Sequence, residues 1–136
     1  MNTALFETGC DVLRRQSFSI LLGATLEKLE PGQIEMSLPV RQDLLQQHGF
    51  VHGGVIAYLA DNALTYAGGS LLGDAVTSEF KINFLRPVAG GGRLVAIASA
   101  LAQGKTQAVC RCDVFSVMGE TRKQCAAAQG TIRKAG

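Results

Sequence analysis

Between Gly53 and Leu72 the chain carries a single charged residue, Asp61. Val55, Ile56, Leu59, Ala60, Ala63, Leu64, Ala67 and Leu71 recur there at three- and four-residue spacings, which is the helical period. The apolar stripe is wide, and the polar positions near its centre are Asp61, Asn62 and Thr65. A helix this apolar is enclosed by other elements rather than laid on a surface. It is the only long one that the sequence predicts, so the rest of the chain must supply its cover.

The flanking segments supply strands. Leu26, Leu29, Ile34, Met36 and Leu38 alternate with polar residues on either side of Glu30-Pro31-Gly32-Gln33, and Pro-Gly at a turn centre predicts a hairpin over 24–40. Residues 3–16 are a short amphipathic helix by the same spacing rules. After the long helix, Ser78–Pro87 alternates Phe80, Ile82 and Phe84 against Lys81 and Asn83. Leu94–Ala102, Ala108–Met118 and an Ala-rich Cys125–Ile132 follow, separated by Gln103-Gly104-Lys105 and Gly119. Consecutive strands with short turns predict an antiparallel meander. The expectation is an α+β fold, one domain over 1–136, with a curved antiparallel sheet wrapped around one central helix.

Composition bounds the partners. The chain is 47% hydrophobic without a Trp, and only 18% of it is charged, against about 25% in an average soluble domain. A small monomer has a large surface to cover with charge, so this shortfall predicts subunit contacts. The net charge of +2 comes from 13 basic and 11 acidic residues. They are well mixed, with no basic cluster beyond Arg14-Arg15 and Arg122-Lys123, which leaves nucleic-acid binding unsupported. The uncharged run Leu44–Ala60 contains Gln46, Gln47, His48 and His52 and is unsuited to spanning a bilayer. Glu7 and Asp11 precede the first apolar stretches, unlike a secretory signal, so a cytoplasmic protein is expected. Cys10, Cys110, Cys112 and Cys125 form no metal-ligand spacing and read as buried, reduced thiols.

The densest constellation of reactive groups is Gln46-Gln47-His48-Gly49-Phe50-Val51-His52-Gly53-Gly54, followed by Asp61 and Thr65. Two glycines at a helix start offer N–H groups with no side chain in the way, at the positive end of the helix dipole. Such donors suit a carbonyl oxygen that gains charge during acyl transfer; equally, they suit a helix that begins in a crowded place. Asp61 stands in an apolar helix, where a carboxylate is costly unless partnered or functional. Thr65 lies one turn on, on the same face. Eight helical residues separate Gly53 from Asp61, a rise of roughly 12 Å, so one chain can hardly present both to the same carbonyl. Two copies running antiparallel can, and the motif therefore calls for a homodimer with two shared sites.

With these residues in view, the run from Leu21 to Ile132 resembles the hotdog-fold acyl-CoA thioesterases of the phenylacetate-pathway (PaaI) type. The resemblance is carried by Leu-Glu-Pro-Gly at 29–32, His52-Gly53-Gly54 with Asp61-Asn62, Asn83-Phe84-Leu85-Arg86-Pro87, and Gln103-Gly104-Lys105-Thr106. It implies the hotdog fold, a homodimer that often pairs into a dimer of dimers, an acyl- or aryl-CoA substrate, and no cofactor beyond the CoA of that substrate. It further implies that Asp61 is the catalytic base or nucleophile and that the Gly53 N–H polarises the thioester carbonyl. Gln46 takes the place of an Asn or Gln that holds the carbonyl or the water. Thr65 and Ser78 each match a hydroxyl that positions the water, and the resemblance leaves both in play. His52 and Gly54 count among the substrate-binding residues, although His52 also reads as a structural histidine that orients the loop; Arg86 and Lys105, at strand ends, suit the CoA phosphates and read almost equally as solvated surface charge. His48 reads as a loop residue. Two rivals share this fold: a hydratase or dehydratase, and a non-catalytic acyl-CoA binding protein.

Overall fold

Residues 2–136 are described by a computed structural model. Two short helices, α1 (Thr3–Arg14) and α2 (Ser17–Leu22), precede strands β1 (Thr25–Glu30) and β2 (Gln33–Pro39). A 3-10 turn at Gln42–Leu44 leads to α3 (Gly53–Leu72), and β3 (Ala75–Phe84), β4 (Arg93–Gln103), β5 (Gln107–Met118) and β6 (Thr121–Lys134) complete the chain. The Asn2 side chain accepts from Leu5 N–H at 3.0 Å and caps α1, satisfying one of the unpaired donors of its first turn. Helix α2 stops at Gly23, whose φ of 78° is the left-handed stop that glycine favours. The carbonyls of Leu21 and Leu22 at that end are taken by the Arg41 guanidinium.

All six strands form one antiparallel sheet in the order β1-β2-β4-β5-β6-β3. Helix α3 touches every one of them, so the sheet wraps the helix as the apolar stripe requires. Met36, Leu38, Leu59, Leu64, Leu94, Val114 and Ile132 meet in this core with almost no exposure. Each fully buried side chain of this size contributes about 1.5–3 kcal/mol. Approach is closest at Gly68, where a methyl group would stand 2.6 Å from the Cβ and Cγ2 of Ile132. Tyr66 points to the other side, where its hydroxyl donates to the carbonyl of Gly9 at 2.8 Å and fastens α1 to α3.

One expectation needs correction. Strands β4, β5 and β6 form a meander, but β3 does not join it through β4. It crosses to the far edge and pairs with β6. The helix predicted over 3–16 is α1, and a further short helix that the sequence pattern left unassigned, α2, follows it. The second, Ser-Phe-Ser-Ile-Leu-Leu, is a six-residue run too short to show a period. The hairpin at Pro31-Gly32 forms as expected, with Gly32 at φ 77° and its N–H donated to Ser70 Oγ at 2.8 Å. Among the described residues, no helix is long and apolar enough to cross a membrane.

Candidate active site

The loop before α3 is held by its own side chains. Gln46 Oε1 accepts from the N–H of His48 at 2.6 Å and of Phe50 at 3.3 Å. Both partners are donors, so the amide oxygen is committed to the loop and the amide NH2 is left for another acceptor. Gly49 (φ 83°) makes the turn. His52 N–H donates to Leu44 O and Val51 N–H to Val88 O, which fixes where α3 begins. His52 caps that start: its Nδ1 accepts from Gly54 N–H at 2.8 Å. The pair of open donors expected at Gly53 and Gly54 is therefore one. Gly54 N–H is consumed, whereas Gly53 N–H has no acceptor among the described residues.

Gly53 lines a cavity of about 380 Å³ together with Gln46, Phe50, Phe84, Leu85 and Arg86 among others. The Phe84 ring lies 3.4 Å from where a Cβ at position 53 would stand, an ordinary contact distance, so the ring packs against the start of α3. Arg86 brings a cation to the same cavity. Lys105 does not: it sits in the β4–β5 turn, beside the strand ends where Gln107 pairs Arg133 and Ala75 pairs Lys134. Phe84 and Arg86 are at the opposite end of β3, where Phe84 pairs Ala126.

Asp61 lies outside that cavity, two turns along α3. Tyr58, Asp61, Asn62 and Thr65 form an i, i+3, i+4, i+7 stripe, half-buried, while Leu59, Ala60, Ala63 and Leu64 face the sheet. Thr77 Oγ1 on β3 donates to Asp61 Oδ1 at 2.6 Å. Thr65 Oγ1 donates to the Asp61 carbonyl at 2.9 Å and lies 2.7 Å from Thr77 Oγ1. Asp61 forms no ion pair among the described residues, and Oδ2 has no hydrogen-bond partner among them. One carboxylate oxygen is thus fixed and the other open.

Ser78, which the sequence pairs with Thr65, takes no part in this contact. The register of β3 against β6 slips between Thr77 and Glu79, and Ser78 is the exposed extra residue of that bulge. Bulges re-aim side chains, and this one gives the Asp61 contact to Thr77. On the other flank of Asp61, Asn62 Nδ2 donates to Gln16 Oε1 (3.0 Å) and Tyr58 Oη (3.2 Å), and lies 3.4 Å from Ser19 Oγ. Ser19 Oγ donates to Gln16 Oε1 at 2.6 Å and lies 2.5 Å from Tyr58 Oη. Burial pushes the Tyr58 phenol upward, against the pull of its hydrogen bonds to Ser19 and Asn62, so the group stays protonated.

Cys110, Cys112 and Cys125 are buried free thiols; Cys10 is also free and half-exposed. No group of three or more His, Cys, Asp or Glu suited to a metal occurs among the described residues. Residues 48–122 match the thioesterase superfamily. The chain is 33% identical over 100 residues to acyl-coenzyme A thioesterase PaaI of Escherichia coli, covering 74% of this chain and 71% of that protein. It is 30% identical over 120 residues to human acyl-coenzyme A thioesterase 13, with 84% of each covered. The solved structure of the E. coli PaaI protein from the phenylacetic acid degradation operon superposes with a TM-score of 0.90. That match has 27% identity and covers 97% of this chain and 94% of that one.

A six-stranded antiparallel sheet wrapped on one long helix is the hotdog thioesterase architecture, and the chain belongs to the thioesterase superfamily. Within it the chain is PaaI-like, and it is a thioester hydrolase.

Proposed function

We propose that the protein hydrolyses acyl-CoA thioesters in sites shared by two protomers, Gly53 coming from one and Asp61 from the other. The observation that carries this is the state of Asp61: a half-buried carboxylate on α3, one oxygen held by Thr77 of β3 and the other open. A structural aspartate in such a place is expected to have a cation or a full set of donors. The acyl-CoA class rests on the two relatives named acyl-coenzyme A thioesterases.

The edge of the sheet supports the sharing. Strand β3 is an edge, paired to β6 on one side only. An edge ten residues long invites pairing with another chain, and Val76, Phe84 and Leu85 on and just after it are exposed. Antiparallel pairing of two β3 strands about a twofold axis runs the two α3 helices in opposite directions, bringing Gly53 of one protomer toward Asp61 of the partner subunit. The Gly53 N–H then bonds the thioester oxygen and stabilises the charge it gains, assisted by the free amide NH2 of Gln46. Asp61 takes a proton from water as that water attacks the carbonyl carbon. The tetrahedral intermediate collapses to the free acid and the CoA thiolate, and the proton returns to the thiolate. Arg86 pairs the phosphates of CoA at the mouth of the cavity, and Lys105 is the cation available from the opposite end of a protomer.

Thiol release from a panel of CoA thioesters tests the reading. The protein is expected to liberate CoA, and Asp61→Asn to lower turnover at least ~100-fold with the circular dichroism spectrum kept. Near-normal turnover in that variant rejects Asp61 as the base. A panel without any CoA release favours a binding role or a hydratase, neither of which frees thiol.

A further inference from the structure

Helix α2 is fixed by polar bonds yet turns apolar residues outward. Gln16 and Ser19 join Asn62 and Tyr58 of α3 at one end, and Arg41 holds the carbonyls of Leu21 and Leu22 at the other. Phe18 is nevertheless 57% exposed and Leu21 66%. The Phe18 ring stands edge-on to Tyr58, centroids 5.1 Å apart, and Tyr58 is one turn before Asp61 on the same face of α3. The Tyr58 hydroxyl is spoken for: Ser19 gives its one proton to Gln16, so Tyr58 donates to Ser19 and accepts from Asn62. What the pair offers a ligand is apolar ring surface held rigidly beside the carboxylate.

We infer that Phe18 and Tyr58 form the wall that receives the acyl group and so set the enzyme's preference for bulky apolar acyl chains over acetyl. The inference rests on the proposed acyl-CoA hydrolysis and deepens it. Two arms leave a thioester carbonyl. The CoA arm carries phosphates and suits the cavity end with Arg86; the acyl arm is apolar and suits the Asp61 end, where the neighbouring surface is Phe18 and Tyr58. The protomer that supplies the base thus also supplies the wall. An exposed apolar patch on a fixed element is a ligand surface in the making, and a bound acyl chain removes it from water.

The experiment measures kcat/KM for acetyl-, hexanoyl- and phenylacetyl-CoA with wild type, Phe18→Ala and Ile20→Ala, together with the sedimentation of each. Ile20 is the control: it is on the same helix and 58% exposed, without the contact to Tyr58. The hexanoyl/acetyl and phenylacetyl/acetyl ratios are expected to fall about tenfold in Phe18→Ala, the scale of an apolar pocket contact, and to stay within twofold of wild type in Ile20→Ala. Loss of only one ratio assigns the wall to aliphatic or to aromatic acyl groups. Unchanged ratios in an active Phe18→Ala protein overturn the inference while leaving the hydrolase reading intact. Unchanged ratios with loss of the dimer overturn it in favour of a subunit contact at Phe18. A wild type that frees no CoA from any thioester overturns both.

Discussion

Two hydroxyl protons hold the Asp61 backbone and carboxylate together. Thr77 gives its proton to Oδ1, so Thr65 turns its own to the Asp61 carbonyl or to Thr77 Oγ1. Thr77→Val deletes a hydrogen bond to a charged group, worth about 1.5–3 kcal/mol, and is expected to lower kcat about tenfold. Thr77→Ser should restore most of it and Ser78→Ala should cost less than twofold; an inverse ranking of the two positions would show that the bulge places Ser78 at the base. At the other half of the site, Gly53 opens α3, where proline is tolerated, and His52 at ψ 133° is already in the conformation proline requires of its predecessor. Gly53→Pro therefore removes one N–H without forbidding the helix, and a loss of ~100-fold or more in turnover is expected. Asp61 and Gly53 stood out in the sequence as anomalies in their local pattern, and their places on α3 were legible from it, whereas Gln46 was singled out only through the family resemblance. Thr77 was not, since a one-residue bulge decides which of two adjacent hydroxyls reaches the carboxylate. The structural reading of His52 as a loop-orienting residue was open in the sequence, but that its Nδ1 takes the Gly54 N–H was not, since spacing does not say which donor a ring nitrogen meets.

Among the elements, α3 and β6 come very close at Gly68 and Ile132. A methyl group at Gly68 would overlap Ile132 at 2.6 Å, and forcing it in costs about 1–3 kcal/mol. Gly68→Ala is expected to lower unfolding free energy by that amount in urea titration, despite alanine's better helix propensity. A rise in stability would mean that the helix rides higher on the sheet. The same strands bury the thiols. Burial pushes Cys110 and Cys125 up to about 11 and Cys112 to about 12. Thiolate is the reactive form and a raised value means less of it at lower pH. Iodoacetamide at pH 8 should therefore label Cys10 in the folded protein and all four cysteines only after denaturation. Periodicity revealed the hairpin, the long helix and the later strands, since each has a clear apolar spacing. It could not reveal α2, whose six residues hold no full repeat, nor that β3 crosses to β6, because strand order depends on what covers α3 rather than on turn length.

For the whole molecule, the low share of charged residues and the unpaired edge of β3 both support the proposed second copy that completes the site. One comparison puts this directly to the test. Asp61→Asn and Gly53→Pro chains, each expected to be nearly inactive alone, are co-expressed with different tags, and the mixed dimer is isolated by sequential affinity steps. If each site takes Gly53 from one chain and Asp61 from the other, one of the two sites in the mixed dimer is intact. CoA release per dimer should then return to about half that of wild type. Should the mixed dimer be as inactive as its parents, both groups act within a single chain and the shared site is wrong.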